Sequence, residues 1–235
     1  MRLLNTGFYI SIFLTLLSCD ESFSQDVEHN GWFFWSHKQE ISKKWQFSSD
    51  MQVRSADRLN YVNTLLIRPG VGYKIADNQT VTLGYTYFGM WEKENDETTY
   101  VPENRIFEQY QIRNKIKRIE ITNRIRYEQR FIRQPDNKIF AQRIRHYIQA
   151  QFPLVTNPLF TKGLYAAVQN EIFLHVQGKD KLNRSVFNQN RSYAGLGYRF
   201  GKKLELEVDY MFRYIIQKDV DARNNVLQRF VKTSF

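Results

Sequence analysis

The stretch that decides the fold is LELEVDYMFRYII, residues Leu204–Ile216. Apolar or aromatic side chains occupy every even-numbered position, and the odd-numbered positions carry three carboxylates, an arginine, Met211 and Ile215. A period of two separates these two sets onto the two faces of a β-strand, whereas a helix would scatter them around its circumference. The stretch therefore predicts a strand with one apolar face and one charged face.

The same period recurs from about residue 45 to the end of the chain, in segments of mostly 11 to 14 residues. Such segments are roughly twice as long as the mean strand of a globular protein. At about 3.3 Å per residue and a tilt near 45°, each one covers about 25–30 Å, which is the apolar height of an outer-membrane barrel. A soluble β-sandwich also alternates, but it rarely needs strands this long or a polar face this charged. We therefore predict an all-β fold, a single up-and-down antiparallel transmembrane β-barrel.

The number of strands is less directly predicted. About eleven segments follow from Trp32 onward, but single-chain bacterial barrels have even numbers of strands. We therefore expect 10 or 12 strands, with either Gly31–Ile41 falling short of a full crossing or one segment containing two strands. No linker interrupts the pattern, so residues 25–235 form one domain.

The predicted connections alternate between short and long, as periplasmic turns and exterior loops do in outer-membrane barrels. The short ones are Ala76–Gln79, Lys117–Arg118 and Gly201–Lys203, and the long, polar ones are Glu92–Asn104, Gln177–Val186 and Gln217–Asn224. The chain stops at Phe235 after an alternating segment from which only Arg229 departs. A terminal aromatic of this kind resembles the signal read by the barrel-assembly machinery, which we expect to be a partner.

The N-terminus has the pattern of a secretory signal peptide. Arg2 precedes an apolar core too short to span a bilayer, and small residues follow it. Cleavage after Ser24 would leave residues 25–235; cleavage before Cys19, at a stretch resembling a lipobox, would leave a lipoprotein. We favour cleavage after Ser24, because Leu17 is a poor lipobox residue. Cys19 is the only cysteine, so the chain forms no internal disulfide. Export to a bacterial outer membrane is the predicted localisation, with its lipid as a partner.

The composition narrows the function classes. Aromatic residues make up 15% of the 235 residues, and 34 Lys and Arg against 24 Asp and Glu give a net charge of +10. The mean hydropathy of −0.55 excludes a bundle of transmembrane helices. The arginines recur at alternate positions inside strands and do not cluster in one basic patch, so we predict no nucleic-acid partner.

Five short motifs suggest a family: ENR at 103–105, NRIRYEQR at 123–130, QRIR at 142–145, NEIF at 170–173 and NQNR at 188–191. In this order they resemble the bacterial outer-membrane proteins classed as domain-of-unknown-function 2490. The resemblance covers nearly all of the predicted mature chain. It implies a β-barrel without an established activity, so it supports fold and location and supplies no mechanism.

The charged residues of these motifs fall on the face opposite the apolar one, which is the lumen of a barrel. The lumen candidates are Arg124, Arg126, Glu128, Arg130, Arg143, Arg145, Glu171 and Arg191. They predict either a structural salt-bridge lattice that fills a narrow barrel, or an anion-selective pore or binding site for an acidic ligand. We favour the lattice, since acids interleave with the arginines and 10 to 12 strands leave little room for a channel.

Two other kinds of chemistry, lipid hydrolysis and metal binding, find little support in the sequence. A barrel hydrolase acting on lipid or lipopolysaccharide would use a Ser–His pair, but His146 falls on an apolar face without a serine two residues away. His29, His37 and His175 are interpreted, like His146, as surface or interfacial imidazoles. The carboxylates at positions 92, 94, 96 and 97 lack EF-hand spacing, so we expect a solvated loop, no metal site and no cofactor.

The predicted function is therefore an outer-membrane barrel with a structural or binding role, which includes narrow-pore transport of an acidic solute. The barrel hydrolase is the alternative, and a soluble periplasmic β-sandwich is a third, weaker one.

Overall fold

The computed structural model describes residues 28–56, 59–94, 97–135, 137–218 and 220–235. The predicted signal peptide, residues 1–24, and both of its cleavage sites lie outside the described residues. No helix in the described ranges is long and apolar enough to cross a membrane. The only helical element there is the single 3-10 turn Lys179–Lys181.

The described chain forms eleven strands that close into one barrel. Each strand pairs with the next along the chain in antiparallel fashion, which confirms the predicted all-β, up-and-down barrel. The strands are β1 (Glu28–Glu40), β2 (Trp45–Ala56), β3 (Tyr61–Ala76), β4 (Gln79–Glu94), β5 (Glu97–Ile116), β6 (Ile119–Arg133), β7 (Lys138–Thr156), β8 (Gly163–Gln177), β9 (Phe187–Arg199), β10 (Leu204–Ile215) and β11 (Ala222–Ser234).

The expectation of an even strand number is wrong. Gly31–Ile41 corresponds to β1, a full strand of 13 residues, and none of the other segments splits. An odd number makes the first and last strands run in the same direction, so β1 pairs with β11 in parallel, from Glu28 opposite Asn224 to Lys38 opposite Ser234. Parallel ladders are slightly less stable per residue than antiparallel ones. The β1–β11 pair, which we call the seam, is therefore expected to be less stable per residue than the other strand pairs.

The two ends of the barrel differ. We call the end that carries Phe235 and the connections 41–44, 77–78, 117–118, 157–162 and 200–203 the turn end, and the opposite end the loop end. At the loop end, the predicted long connection Gln177–Val186 contains the observed loop 178–186, and Gln217–Asn224 overlaps the observed loop 216–221.

The predicted loop Glu92–Asn104 is wrong, because β4 and β5 continue through most of it. Glu92 pairs with Thr99, and Lys93 pairs with Thr98, in a hairpin that extends the sheet at the loop end. Threonine, tyrosine and valine at 98–101 favour strands, and here they outweigh the acidic residues that suggested a loop.

The outer wall of the barrel is mostly apolar. Large side chains that alternate with the interior positions are exposed there, among them Phe33, Val71, Leu83, Ile106, Ile125, Ile148, Val168, Leu196, Val208 and Phe212. The deciding stretch behaves as predicted, with Leu206, Val208 and Tyr210 outside and Glu207 and Asp209 buried inside. Arg229 is an exception on this wall, since it is exposed opposite Val208 of β10.

Aromatic pairs mark both ends of the outer wall. At the turn end, the ring centroids of Trp45 and Tyr73 are 5.0 Å apart, and those of Tyr198 and Phe200 are 4.8 Å apart. At the loop end, Trp91 packs against Tyr100 and Phe131 against Phe140, each at 5.2 Å. The apolar part of the outer wall therefore lies between aromatic pairs at the turn end and aromatic pairs at the loop end.

Candidate functional site

The interior contains a lattice of arginines and carboxylates centred on Glu128 of β6, whose side chain is fully buried. Arg143 on β7 donates to Glu128 Oε2 from Nε at 3.0 Å and from Nη2 at 2.5 Å. Arg145, two residues further along β7, donates to Glu128 Oε1 at 2.7 Å. These contacts arise because Glu128 pairs with Arg143 in the register of the β6–β7 ladder.

Two further carboxylates extend the lattice on either side. Glu171 on β8 accepts hydrogen bonds from Arg145 and Arg124, each at 2.7 Å. Glu103 on β5 accepts from Arg105 at 2.7 Å and from Arg130 at 2.6 Å. A carboxylate that receives two guanidinium groups is fully satisfied, which is the requirement for burying such charges without a large penalty.

Aromatic side chains stack against the guanidinium groups. The guanidinium carbons of Arg143 and Arg145 lie 5.0 and 4.5 Å from the centroid of the Phe173 ring, and that of Arg126 lies 4.7 Å from the Phe107 ring. Planar guanidinium groups stack on aromatic faces in this way, which fixes the side chains and adds attraction. The lattice is therefore packed as well as paired.

The structure brings all eight predicted lumen residues to the barrel interior. Seven of them take part in the ion pairs around Glu128, Glu171 and Glu103, although Arg126 reaches Glu128 only at 4.0 Å. Arg191 is the eighth. It stacks between Phe173, at 4.6 Å, and Trp32, at 5.2 Å.

A second, acidic wall lies on β10. Glu207 accepts hydrogen bonds from Lys232 at 2.8 Å, from Tyr165 at 2.7 Å and from Gln169 at 2.9 Å. Glu205, two residues nearer the turn end, pairs with Lys232 at 2.9 Å and with Arg199 at 2.8 Å. The interior is thus divided into an arginine-rich side on β5–β7 and a carboxylate-rich side on β10.

The turn-end half of the interior encloses a cavity of about 650 Å³. Its lining runs inward from the rim residues Lys38, Lys115 and Lys203 to Arg126 and Glu171 in the lattice. The cavity therefore opens at the turn end and ends at the lattice.

The loop-end half contains a buried apolar cluster beside buried polar side chains such as Arg54 and Arg105. Val101, Ile132, Ile139 and Ala141 form a buried cluster, against which Leu182 packs from the β8–β9 loop. This cluster, which we call the apolar plug, and the lattice lie between the cavity and the loop end.

His175 helps to hold the β8–β9 loop in place. It is buried inside the barrel, and its Nδ1 lies 3.0 Å from Asn183 Oδ1 in that loop. Asn183 in turn donates from Nδ2 to the carbonyl oxygens of Phe187 and Ile216. The interpretation of His175 as a surface or interfacial imidazole is wrong, because the strand places its odd-numbered residues inside.

The geometry around His146 does not favour a hydrolase. His146 lies on the outer wall opposite Ile125 of β6 and Ile172 of β8. Asn170, Asn190 and Ser192 form a hydrogen-bonded group on the outer wall, with 3.0 Å from Asn170 Nδ2 to Ser192 Oγ. Ser192 is on β9, however, so the whole of β8 separates it from His146 on β7. Within the described residues, no group of three or more His, Cys, Asp or Glu side chains is placed to hold a metal ion.

Sequence reasoning missed several interior residues. Arg68 of β3 and Asp50 of β2 form a bidentate pair at 2.8 and 2.9 Å. Glu103 falls within the predicted loop Glu92–Asn104 and Arg105 directly after it, although their alternation with Asn104 and Ile106 is the period-two signal of a strand.

Comparison with known proteins identifies the family of this chain but no activity. An uncharacterised protein of Methylorubrum extorquens is 24% identical over 166 residues, which cover 70% of this chain and 69% of that protein. No solved structure matches the chain. The model of a protein family of unknown function, DUF2490, matches residues 29–224, which include ten of the eleven strands completely or nearly so and the lattice. The chain therefore belongs to the DUF2490 family.

Proposed function

We propose that this protein is an integral outer-membrane β-barrel with a structural and ligand-binding role. The observation that carries the proposal is the apolar outer wall. Large side chains such as Leu83, Ile125 and Val208 are exposed on it, between the aromatic pairs of the turn end and those of the loop end. A closed barrel leaves no unpaired sheet edge, so its backbone is satisfied in a lipid environment. Lipid supplies the apolar surroundings that such a wall needs, and water does not.

Two further features of the proposal concern export and assembly. Residues 1–24 would direct the chain out of the cytoplasm and be removed by cleavage. Phe235 would present the terminal aromatic side chain to the assembly machinery. Its backbone amide donates to the Lys38 carbonyl at 2.9 Å, and its side chain is exposed, so it lies on the outside of the β1–β11 seam.

The interior supports binding more than free transport. A narrow pore for an acidic solute would need a continuous path, but the lattice around Glu128 and the apolar plug at Ile139 occupy the centre and the loop end. Ion pairs packed on aromatic rings stiffen the wall of a barrel with few strands, which is the structural part of the role. The cavity at the turn end, which would face the periplasm, is the binding part.

Membrane insertion is tested by fractionation and by gel mobility. We expect the full chain in the outer-membrane fraction, resistant to extraction with alkaline carbonate, and moving faster on a gel when unboiled than when boiled. Recovery from the soluble periplasm without a mobility shift would overturn the proposal.

Whether the interior is blocked to ions is tested separately, by conductance in a planar lipid bilayer. We expect the purified barrel to produce no steady single-channel current in symmetric salt, whereas a general porin measured beside it conducts. A stable, anion-selective conductance would show that the interior opens and would replace the binding role with transport.

A further inference from the structure

We propose that the turn-end cavity binds a small solute carrying two or more anionic groups, carboxylate or phosphate, between Arg126 at its inner end and Arg113 nearer its mouth. This inference names the ligand class of the binding role proposed above and rests on that role.

The first support is an imbalance of charge in the cavity lining. Twelve lysine and arginine side chains line it, against five carboxylates. Each of the five carboxylates already has a cationic partner within 3 Å: Asp50, Glu120, Glu171, Glu205 and Glu207. A site with satisfied carboxylates and surplus cations attracts anions and disfavours cations.

The second support is the state of Arg126 at the inner end. Its Nε and Nη2 donate to Gln109 Oε1 at 3.0 and 2.6 Å, but its buried Nη1 has no hydrogen-bond acceptor. The carboxylate of Glu128 is 4.0 Å away and is occupied by Arg143 and Arg145. The positive charge of Arg126, which lines the cavity, is thus held by a neutral amide with no carboxylate closer than 4.0 Å, so it attracts an anion to the inner end of the cavity.

The third support is Arg113 on the same side of the cavity. With the Gln111 amide turned so that its oxygen faces Arg113, this neutral oxygen accepts from Arg113 Nε at 2.9 Å and from Nη2 at 3.2 Å. Among the described residues, no carboxylate forms an ion pair with Arg113. Both arginines are thus held by glutamine amides, which orient a guanidinium group without neutralising it.

The spacing of these two arginines sets the ligand class. Arg126 faces Gln109 across the β5–β6 ladder, and Arg113 lies four residues beyond Gln109 on β5. Four strand residues correspond to about 13 Å, a distance that the exposed side chain of Arg113 can shorten by turning towards the fixed Arg126. A solute with several anionic groups can reach both guanidinium groups, whereas a monoanion reaches one. The cavity volume of about 650 Å³ is in the range of small-molecule sites.

The experiment measures binding by calorimetry to the folded, detergent-solubilised barrel, in about 0.1 M salt so that unspecific charge effects are screened. Citrate and pyrophosphate are the probes for the two kinds of anionic group, acetate is the monoanion, and glucose is the neutral control. We expect citrate or pyrophosphate to bind with a dissociation constant below about 1 mM. Acetate should bind at least about tenfold more weakly, and glucose should not bind.

Three variants locate the site. Arg126→Gln and Arg113→Gln each remove one anchor and should weaken binding of the stronger probe by about tenfold or more. Lys218→Gln removes one positive charge from the β10–β11 loop at the other end of the barrel and should leave binding unchanged. If Arg126→Gln does not fold, Arg113→Gln alone decides, because Arg113 lies outside the lattice.

Several outcomes would overturn the inference. One is a folded barrel, shown by its mobility shift, that binds neither citrate nor pyrophosphate. Another is equal weakening by all three variants, which would indicate unspecific attraction to a basic protein. Because the mobility shift is measured on the same sample, failure of the cavity site is distinguished from failure of the barrel proposal.

Discussion

Neutralising Glu128 tests the lattice most directly. Glu128 is fully buried and holds two guanidinium groups, at 2.5 Å from Arg143 and 2.7 Å from Arg145. In Glu128→Gln the shape is kept and the charge is lost. Arg145 retains Glu171, but Arg143 has no second carboxylate partner among the described residues. Removing one partner of a buried ion pair costs about 3–5 kcal/mol, and we expect the lower end, about 3 kcal/mol, because the glutamine oxygen still accepts.

The assay is equilibrium unfolding in urea of the barrel refolded into lipid vesicles, followed by tryptophan fluorescence. Glu92→Gln is the matched control, since Glu92 is exposed on the β4–β5 hairpin and its free energy of unfolding should change by less than about 0.5 kcal/mol. The double variant Glu128→Gln/Arg143→Gln removes the stranded guanidinium group as well. It should lose less stability than the two single variants added together.

A loss below about 1 kcal/mol in Glu128→Gln, indistinguishable from the control, would refute this reasoning. It would mean that water reaches the lattice and screens it, so that the interior is more open than the contacts indicate. Additive effects in the double variant would likewise show that Glu128 and Arg143 do not depend on each other.

Three other predictions concern the wall and its closure. Tyr210→Arg places a charge on the outer wall and should reduce insertion into vesicles by about 2–4 kcal/mol if the residue lies near the midplane, whereas unchanged insertion would contradict the lipid-facing assignment. Gly197→Ala would put a Cβ 2.1 Å from the Tyr165 ring, and the thermal midpoint should fall with a cost of about 1–3 kcal/mol; an unchanged midpoint would argue against this close packing. Trp35 and Val231 are paired across the parallel seam, so the double variant Trp35→Cys/Val231→Cys should form a disulfide in the mature barrel. The disulfide is detected as a loss of free thiol, and thiols that persist under oxidising conditions would contradict eleven-strand closure.

Much of the wall could be predicted from the sequence, because a strand separates alternate residues onto two faces whatever its neighbours are. The period-two pattern placed Leu206 and Val208 outside and Glu207 inside without any knowledge of strand pairing. Where that pattern was mixed with acidic residues, at Glu92–Asn104, the prediction of a loop was wrong, since pairing with a neighbouring strand compensates for poor local propensity.

The interior contacts were not predictable to the same degree, because they depend on register between strands distant in sequence. Arg124 and Glu171 are 47 residues apart and meet across β6, β7 and β8. A shift of one residue in either ladder would turn one of the two side chains outward. The sequence could identify charged residues that share a face, but it could not say which arginine meets which carboxylate.

The sequence by itself determined long strands with one apolar and one charged face, since both follow from local alternation and strand length. Only the tertiary structure decided that eleven strands close through a parallel β1–β11 pair, that His175 and the β8–β9 loop cover one end, and that a cavity remains at the other. The physical reason is that closure and filling depend on how all the strands fit around one axis. Arg126 therefore lines the cavity with its charge held by the neutral Gln109, which is a consequence of packing that no stretch of the sequence records.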